Sequence, residues 1–165
     1  AVHYGPTIAE PGVVTDVFID PSRVTLRGDG LSLIEALLVP LLREDHVEAV
    51  GGPAMGAIPL VTLLARQQWP AFYIRLGPQV HARRSAISGR PPQPGMAVAL
   101  LEDLAATGTS LLTCCELVQG LGARVVSLYA LVDREQGTRE RFAAHGLRYR
   151  PLITLSELVQ PAPEP

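Results

Sequence analysis

The stretch that decides the fold is Val98–Leu112, "VALLEDLAATGTSLL". The apolar run from Met96 to Leu101 that feeds it is of the kind a strand buried on both faces requires. Two acids, Glu102 and Asp103, stand side by side at its end, and Thr107-Gly108-Thr109-Ser110 then leads into an apolar helix, Ser110 to Leu121, stopped by Gly122. Carboxylates at the edge of a buried strand must meet water, a hydrogen-bond donor, a cation or a ligand, because an unpaired buried charge is strongly unfavourable. The Thr/Gly segment has two readings. Backbone N–H groups at a helix start, with a glycine permitting close approach and hydroxyls to assist, suit a phosphate; alternatively, Thr109 or Ser110 is simply the N-cap of the helix. The acids favour the first, since a sugar phosphate carries phosphate at one end and hydroxyls or a bound cation further along.

The alternation of strand, loop and helix recurs on both sides. Val13 to Ile19 is β-rich and ends at Asp20-Pro21, and Leu31 to Leu42 carries leucine and isoleucine at helical spacing. His46 to Val50 is a short strand that runs through Gly51-Gly52-Pro53-Ala54-Met55-Gly56-Ala57 into the apolar helix Ile58 to Arg66. Further strands are expected at Ala71 to Leu76, Arg124 to Val132 and Arg148 to Thr154, with a short helix from Thr138 to His145 closed by Gly146. This order predicts an α/β protein with a mostly parallel sheet and right-handed crossovers. Ligands of such sheets sit beyond the carboxyl ends of the strands. Three unusual loops fall there: "GGPAMGA", "EDLAATGTS" and "DREQGTRE".

Composition narrows the chemistry. The 165 residues, 47% hydrophobic, suffice for one globular domain with a substantial core. Net charge is only -2, which gives no general attraction to nucleic acid or membrane. No apolar stretch approaches the ~20 residues of a membrane span, and Ala1 onward lacks the pattern of a leader, so a cytoplasmic protein is expected. All 14 Lys+Arg residues are arginine. A chain without lysine has no Schiff-base chemistry and no Walker-type phosphate-loop lysine. Cys114 and Cys115 are adjacent in a predicted helix, which suits core filling rather than a disulfide or metal cluster.

Three other segments carry candidate chemistry. "GGPAMGAIPL" is a Gly-rich turn with neither a Walker nor a dinucleotide spacing. Gly77 to Gly95 shows no hydrophobic period and holds His81, Arg83, Arg84 and Arg90, as either a lid for a polyanion or a solvated loop. Asp133-Arg134-Glu135 follows the clearest strand; it is either a surface ion pair or a way of presenting the planar fork of Arg134 to a carboxylate or pyrimidine carbonyl.

"VALLEDLAATGTSLL" resembles the phosphoribosyl-pyrophosphate (PRPP) motif of type I phosphoribosyltransferases. "FIDPSRVTL", "GGPAMGAIPL", "LVDREQGTRERFAAHGL" and "PLITLSEL" are similar in order and spacing to the orotate phosphoribosyltransferases, from Thr7 to Leu158. The resemblance implies the type I phosphoribosyltransferase fold: one domain over residues 1–165, with a reduced N-terminal hood (1–30) lacking the usual leading helix, an α/β core (31–154) and a frayed tail (161–165). It implies transfer of the 5-phosphoribosyl group from PRPP to a pyrimidine-type base, orotate, in nucleotide biosynthesis. Glu102 and Asp103 would hold the ribose 2- and 3-hydroxyls and, with His81, form the catalytic set. Ala105, Ala106, Thr107, Gly108, Thr109 and Ser110 would cradle the 5-phosphate. Pro53, Ala54, Met55 and Gly56, within Gly52 to Ala57, would face the pyrophosphate, and Arg75 would join the PRPP site. Arg134 and Phe18 would meet the base, while Gly77 to Gly95, with His81, Arg83 and Arg84, would be the lid. Mg²⁺ would act mainly through PRPP oxygens rather than direct protein ligands, and the protein would be a homodimer whose lid reaches the neighbour's site.

The sequence departs from that family in several places. Leu76 and Gln79 stand where lid lysines are usual, Ala106 replaces a threonine, and Thr7-Ile8-Ala9-Glu10-Pro11 lacks a lysine of the base site. Arg83 or Arg84 are the candidate replacements in the lid, although arginine gives up a proton poorly. Losing a charge-assisted contact to a transition state typically costs ~2.7–4 kcal/mol. Two readings therefore stand at this point: a transferase, or a non-catalytic protein that binds PRPP or a nucleotide on the same fold.

Overall fold

In chain order, the computed structural model has β1 (Val2–Glu10), β2 (Val13–Ile19), α1 (Ser22–Thr25), α2 (Gly28–Glu44), β3 (Ala49–Gly51), α3 (Ile58–Arg66), β4 (Phe72–Ile74), β5 (Ile87–Gly89), β6 (Ala97–Ala105), α4 (Thr109–Gln119), β7 (Arg124–Asp133), α5 (Thr138–Ala144), β8 (Tyr149–Thr154) and α6 (Leu155–Val159). It describes residues 2–10, 13–77 and 86–159. Strands β3, β6, β7 and β8 form a parallel sheet in that order. Parallel bridges Val50–Ala71 and Pro53–Ile74 extend it to β4, against which β5 runs antiparallel. The α/β architecture expected from the strand and helix alternation is the one found.

Alternation along the central strands divides the core in two. Val98 and Leu100 of β6, with Leu128 and Ala130 of β7, pack against Leu111, Cys114 and Val118 of α4. Ala99 and Leu101, with Tyr129 and Leu131, face the other way onto Ile34, Leu38 and Leu42 of α2 and Leu60 and Leu64 of α3. Helices on both faces account for strands that read as continuous apolar runs. The α2 residues recur every fourth position, the stripe a helix needs to cover a sheet. Burial pushes both cysteine thiols up, in keeping with core filling.

Several elements differ from the sequence reading, among them α6, which it did not name. β1 pairs antiparallel with β2, a partner hidden by Gly5 and Pro6. The four-residue helix α1 follows Pro21, and α2 begins at Gly28 rather than Leu31. The segment 77–95 is not structureless: Arg75 N donates to Ala86 O at 2.8 Å, and β5 places Ile87 in the core. Only 78–85 of that segment, with His81, Arg83 and Arg84, lies outside the described residues, as does the tail 161–165. Among the described residues no helix is long and apolar enough to cross a membrane.

The C-terminus of α2 is latched across the sheet. Asp45, its side chain 2% exposed, accepts from the Tyr129 hydroxyl at 2.5 Å and pairs with Arg148 Nη1 at 2.6 Å, while Arg150 Nη2 meets Glu44 at 2.8 Å. Burial, then the bond to Asp45, pushes the Tyr129 phenol up to about 12, so it remains a donor at neutral pH. Asp45→Ala orphans that buried hydroxyl and is expected to lower stability by about 1.5–3 kcal/mol in urea unfolding; an unchanged midpoint would show that the latch carries no stability.

Candidate active site

The two acids at the end of β6 leave the strand on opposite faces. Glu102 continues the even-numbered series that packs on α4, and Asp103 the odd-numbered series that packs on α2 and α3. They are therefore not side by side, as the linear sequence suggests. Burial, then the neighbouring Asp103, pushes Glu102 up to about 8, against a hydrogen bond from Ser110 at the start of α4. Burial also raises Asp103, opposed by the Leu104 N–H, which donates to Oδ1 at 2.8 Å. The carboxylate of Asp20, across the cleft, raises it further. Both acids are held short of full solvation, where a ligand's hydroxyls or cation would relieve them.

At the loop after β6, neither hydroxyl residue takes the N-cap position. The residue preceding α4 is Gly108, left-handed at φ 74°, and no side chain caps the helix. Thr109 and Ser110 lie inside the helix, so neither is the N-cap. Thr109 Oγ1 instead lies 3.0 Å from Thr107 Oγ1, and Ser110 serves Glu102. The first N–H groups of an α-helix have no intrahelical partner, and among the described residues no side-chain cap bond meets them here. Beneath the loop, a Cβ on Gly108 would stand 2.6 Å from Cζ of buried Phe142. α5 thus forms the floor of the loop, and Thr138 Oγ1 donates to Ala106 O at 2.6 Å.

The other two loops reach the same edge. Ile74 N donates to Gly52 O and Ala54 N to Ile74 O, each at 2.8 Å, which stitches the Pro53–Gly56 turn to the strand end that carries exposed Arg75. At Gly56 the turn touches the acid pair: a Cβ there would be 2.0 Å from Asp103 Oδ1. Arg134 N donates to Ala105 O at 2.8 Å, so Asp133-Arg134-Glu135 begins beside the Ala105–Ser110 loop. Asp133, 2% exposed, accepts the Glu135 N–H at 2.8 Å, and Glu135 takes the Ser156 N–H at 2.8 Å and hydroxyl at 3.0 Å. The segment is a built turn anchored to α6. Ser22, Thr25, Met55, Gly56, Ile58 and Asp103 line a cleft of about 400 Å³ between α1 and the rim of the sheet. Phe18 lies in β2, its ring 6.2 Å from that of His3 and two residues before Asp20.

This arrangement has solved counterparts. No family model matches the chain. It is 33% identical to an orotate phosphoribosyltransferase of Bradyrhizobium diazoefficiens, across 94% of this chain and 88% of that protein. The chain belongs to the orotate phosphoribosyltransferase family. A Synechocystis member is 35% identical over 94% of this chain and 81% of its own length. The crystal structure of orotate phosphoribosyltransferase from Aeropyrum pernix superimposes with a TM-score of 0.83 at 31% identity, covering 94% of this chain and 89% of that one. That of the Mycobacterium tuberculosis enzyme in complex with PRPP gives 0.73 at 34%, covering 85% and 82%. An adenine phosphoribosyltransferase from Thermoanaerobacter pseudethanolicus, 17% identical, shares the fold at 0.75.

For a member of the orotate phosphoribosyltransferase family, the sequence reading located the three loops but not what holds them. Asp20, Ser22, Thr138, Arg141 and Ser156 were missed as contributors. They fall within quoted runs, "FIDPSRVTL", "LVDREQGTRERFAAHGL" and "PLITLSEL", but most act through a distant partner, as Ser156 does with Glu135, Thr138 with Ala106 and Asp20 with Asp103.

Two outcomes follow. Gly56→Ala drives the Asp103 carboxylate aside without touching the core, so PRPP affinity should fall about tenfold or more in calorimetry while the melting temperature holds; unchanged affinity would separate the turn from the acid. Because the folded Glu102 is raised, the native state binds the extra proton between about pH 4.5 and 8, and its stability is lost as pH rises through that window. Urea midpoints should therefore fall from pH 5 to 8 more steeply in the wild type than in Glu102→Gln, by up to about 1.4 kcal/mol per pH unit. Parallel curves would place Glu102 in water.

Proposed function

We propose that this protein is an orotate phosphoribosyltransferase of pyrimidine nucleotide biosynthesis. It transfers the 5-phosphoribosyl group of PRPP to orotate, giving the orotate nucleotide and pyrophosphate. The observation that carries this reading is the contact of three loops at one sheet edge, with Asp103 against the Gly56 turn on one side and the uncapped α4 terminus on the other. A 5-phosphate enters the Ala105–Ser110 loop, where unpaired N–H groups and the Thr107 and Thr109 hydroxyls receive it. The ribose hydroxyls then donate to Glu102 and Asp103, and the pyrophosphate lies along Gly52 to Ala57 near Arg75. Arg134, presented by the anchored Asp133–Glu135 turn, and Phe18 meet the base. Bond cleavage builds positive charge at the ribosyl carbon and negative charge on pyrophosphate. The carboxylates answer the first and the turn N–H groups and Arg75 the second. His81, Arg83 and Arg84 would close over the site as its lid.

Mg²⁺ fits this donor set as a partner of PRPP. Among the described residues no cluster of three or more His, Cys, Asp or Glu is placed to hold a metal, whereas Asp103 and Glu102 are carboxylates whose ionisation is opposed until a cation or donor arrives. When bound, the ion neutralises charge on the pyrophosphate oxygens. The exposed leucines Leu26, Leu33 and Leu37 support a homodimer, and phosphorylated substrates of this kind suit a cytoplasmic protein.

The test follows orotate consumption with PRPP and Mg²⁺, with PRPP binding measured in parallel. Turnover is expected, and Asp103→Asn should abolish it and weaken PRPP by about tenfold or more while the chain stays folded. PRPP binding without turnover would leave a binding protein on this fold, and full activity of Asp103→Asn would misplace the ribose.

A further inference from the structure

The floor of the phosphate loop carries a charge that none of the roles above uses. Arg141, on α5, is exposed, and its Nη1 donates to Thr109 Oγ1 at 3.2 Å. Among the described residues no carboxylate pairs with it. Its helix is fixed to the loop at two further points, Thr138 Oγ1 on Ala106 O and Phe142 under Gly108, so the guanidinium is held beside the loop by buried groups. The bond also orients Thr109. A hydroxyl has one proton and two lone pairs; accepting from Arg141 occupies a lone pair and leaves the proton to be given away, to Thr107 or to an anion in the loop. The guanidinium has five N–H donors, of which Thr109 takes one, and the remainder are suited to phosphate oxygens.

We propose that Arg141 is a phosphate-binding residue of this site, contacting the 5-phosphate of the sugar directly while it holds Thr109 as a donor. In a chain without lysine, it supplies the cation at the phosphate end of the ligand, beside the position where Ala106 offers no hydroxyl. The inference rests on the proposed function, because it takes the occupant of the loop to be a ribose 5-phosphate.

The experiment uses the full chain and two probes, ribose 5-phosphate and inorganic pyrophosphate, in calorimetry with wild type, Arg141→Ala, Arg141→Lys, Thr109→Val and the double variant Thr109→Val/Arg141→Ala. Arg141→Ala should weaken ribose 5-phosphate about tenfold, leave pyrophosphate within about twofold, and be partly rescued by Arg141→Lys. The loss should persist in the Thr109→Val background. An unchanged ribose 5-phosphate affinity, an equal loss for both probes, or a loss that vanishes without Thr109 would each overturn direct contact. Failure of the wild type to bind ribose 5-phosphate would overturn the phosphate loop itself, a result distinct from any difference between wild type and variant.

Discussion

A strand covered by helices on both faces has to release its last side chains somewhere, and β6 does so with Glu102 on one face and Asp103 on the other. Neither carboxylate is fully solvated, and burial raises both. That unrelieved desolvation is the constraint around which the site is arranged. Ser110 answers Glu102 from the α4 side, the Leu104 N–H answers Asp103, and Gly56 carries no side chain where the Pro53–Gly56 turn lies against the Asp103 carboxylate.

The same economy governs the start of α4. Thr109 and Ser110 are good N-cap residues by type, yet each is spent elsewhere and Gly108 turns the chain instead. A helix that satisfied its own N–H groups would be more stable alone and useless to a phosphate. The loop is held in this exposed state from below by α5, through Thr138, Phe142 and Arg141. The Asp133–Glu135 turn is fixed in a similar manner from the side, with Glu135 at φ 58° carried by its bonds to Ser156.

The elements legible in the sequence were those whose pattern is local. α3 was readable to its terminal residues because Ile58–Arg66 is a largely apolar stretch behind a Gly/Pro turn, and β7 because Val125–Val132 is apolar but for Ser127. β1 was not, since Gly5 and Pro6 read as punctuation until β2 supplies a partner, and β5 was not, since three residues among prolines carry no period. The acid pair and the phosphate loop were visible as composition. Their division between two faces, and the fastening of the loop by α5, depend on packing between residues about 30 positions apart. The absence of lysine, conspicuous in the sequence, leaves the Glu102–Asp103 pair and the Ala105–Ser110 loop intact, since neither draws on a lysine side chain.

The central claim is that one sheet edge receives the two ends of PRPP on either side of Asp103. A crystal structure with PRPP and Mg²⁺ tests it most directly. The account predicts the 5-phosphate on the N–H groups at the start of α4, the ribose hydroxyls on Glu102 and Asp103, and the pyrophosphate along Gly52 to Ala57. A phosphate bound away from Ala105–Ser110, or a ribose out of reach of both carboxylates, would contradict it.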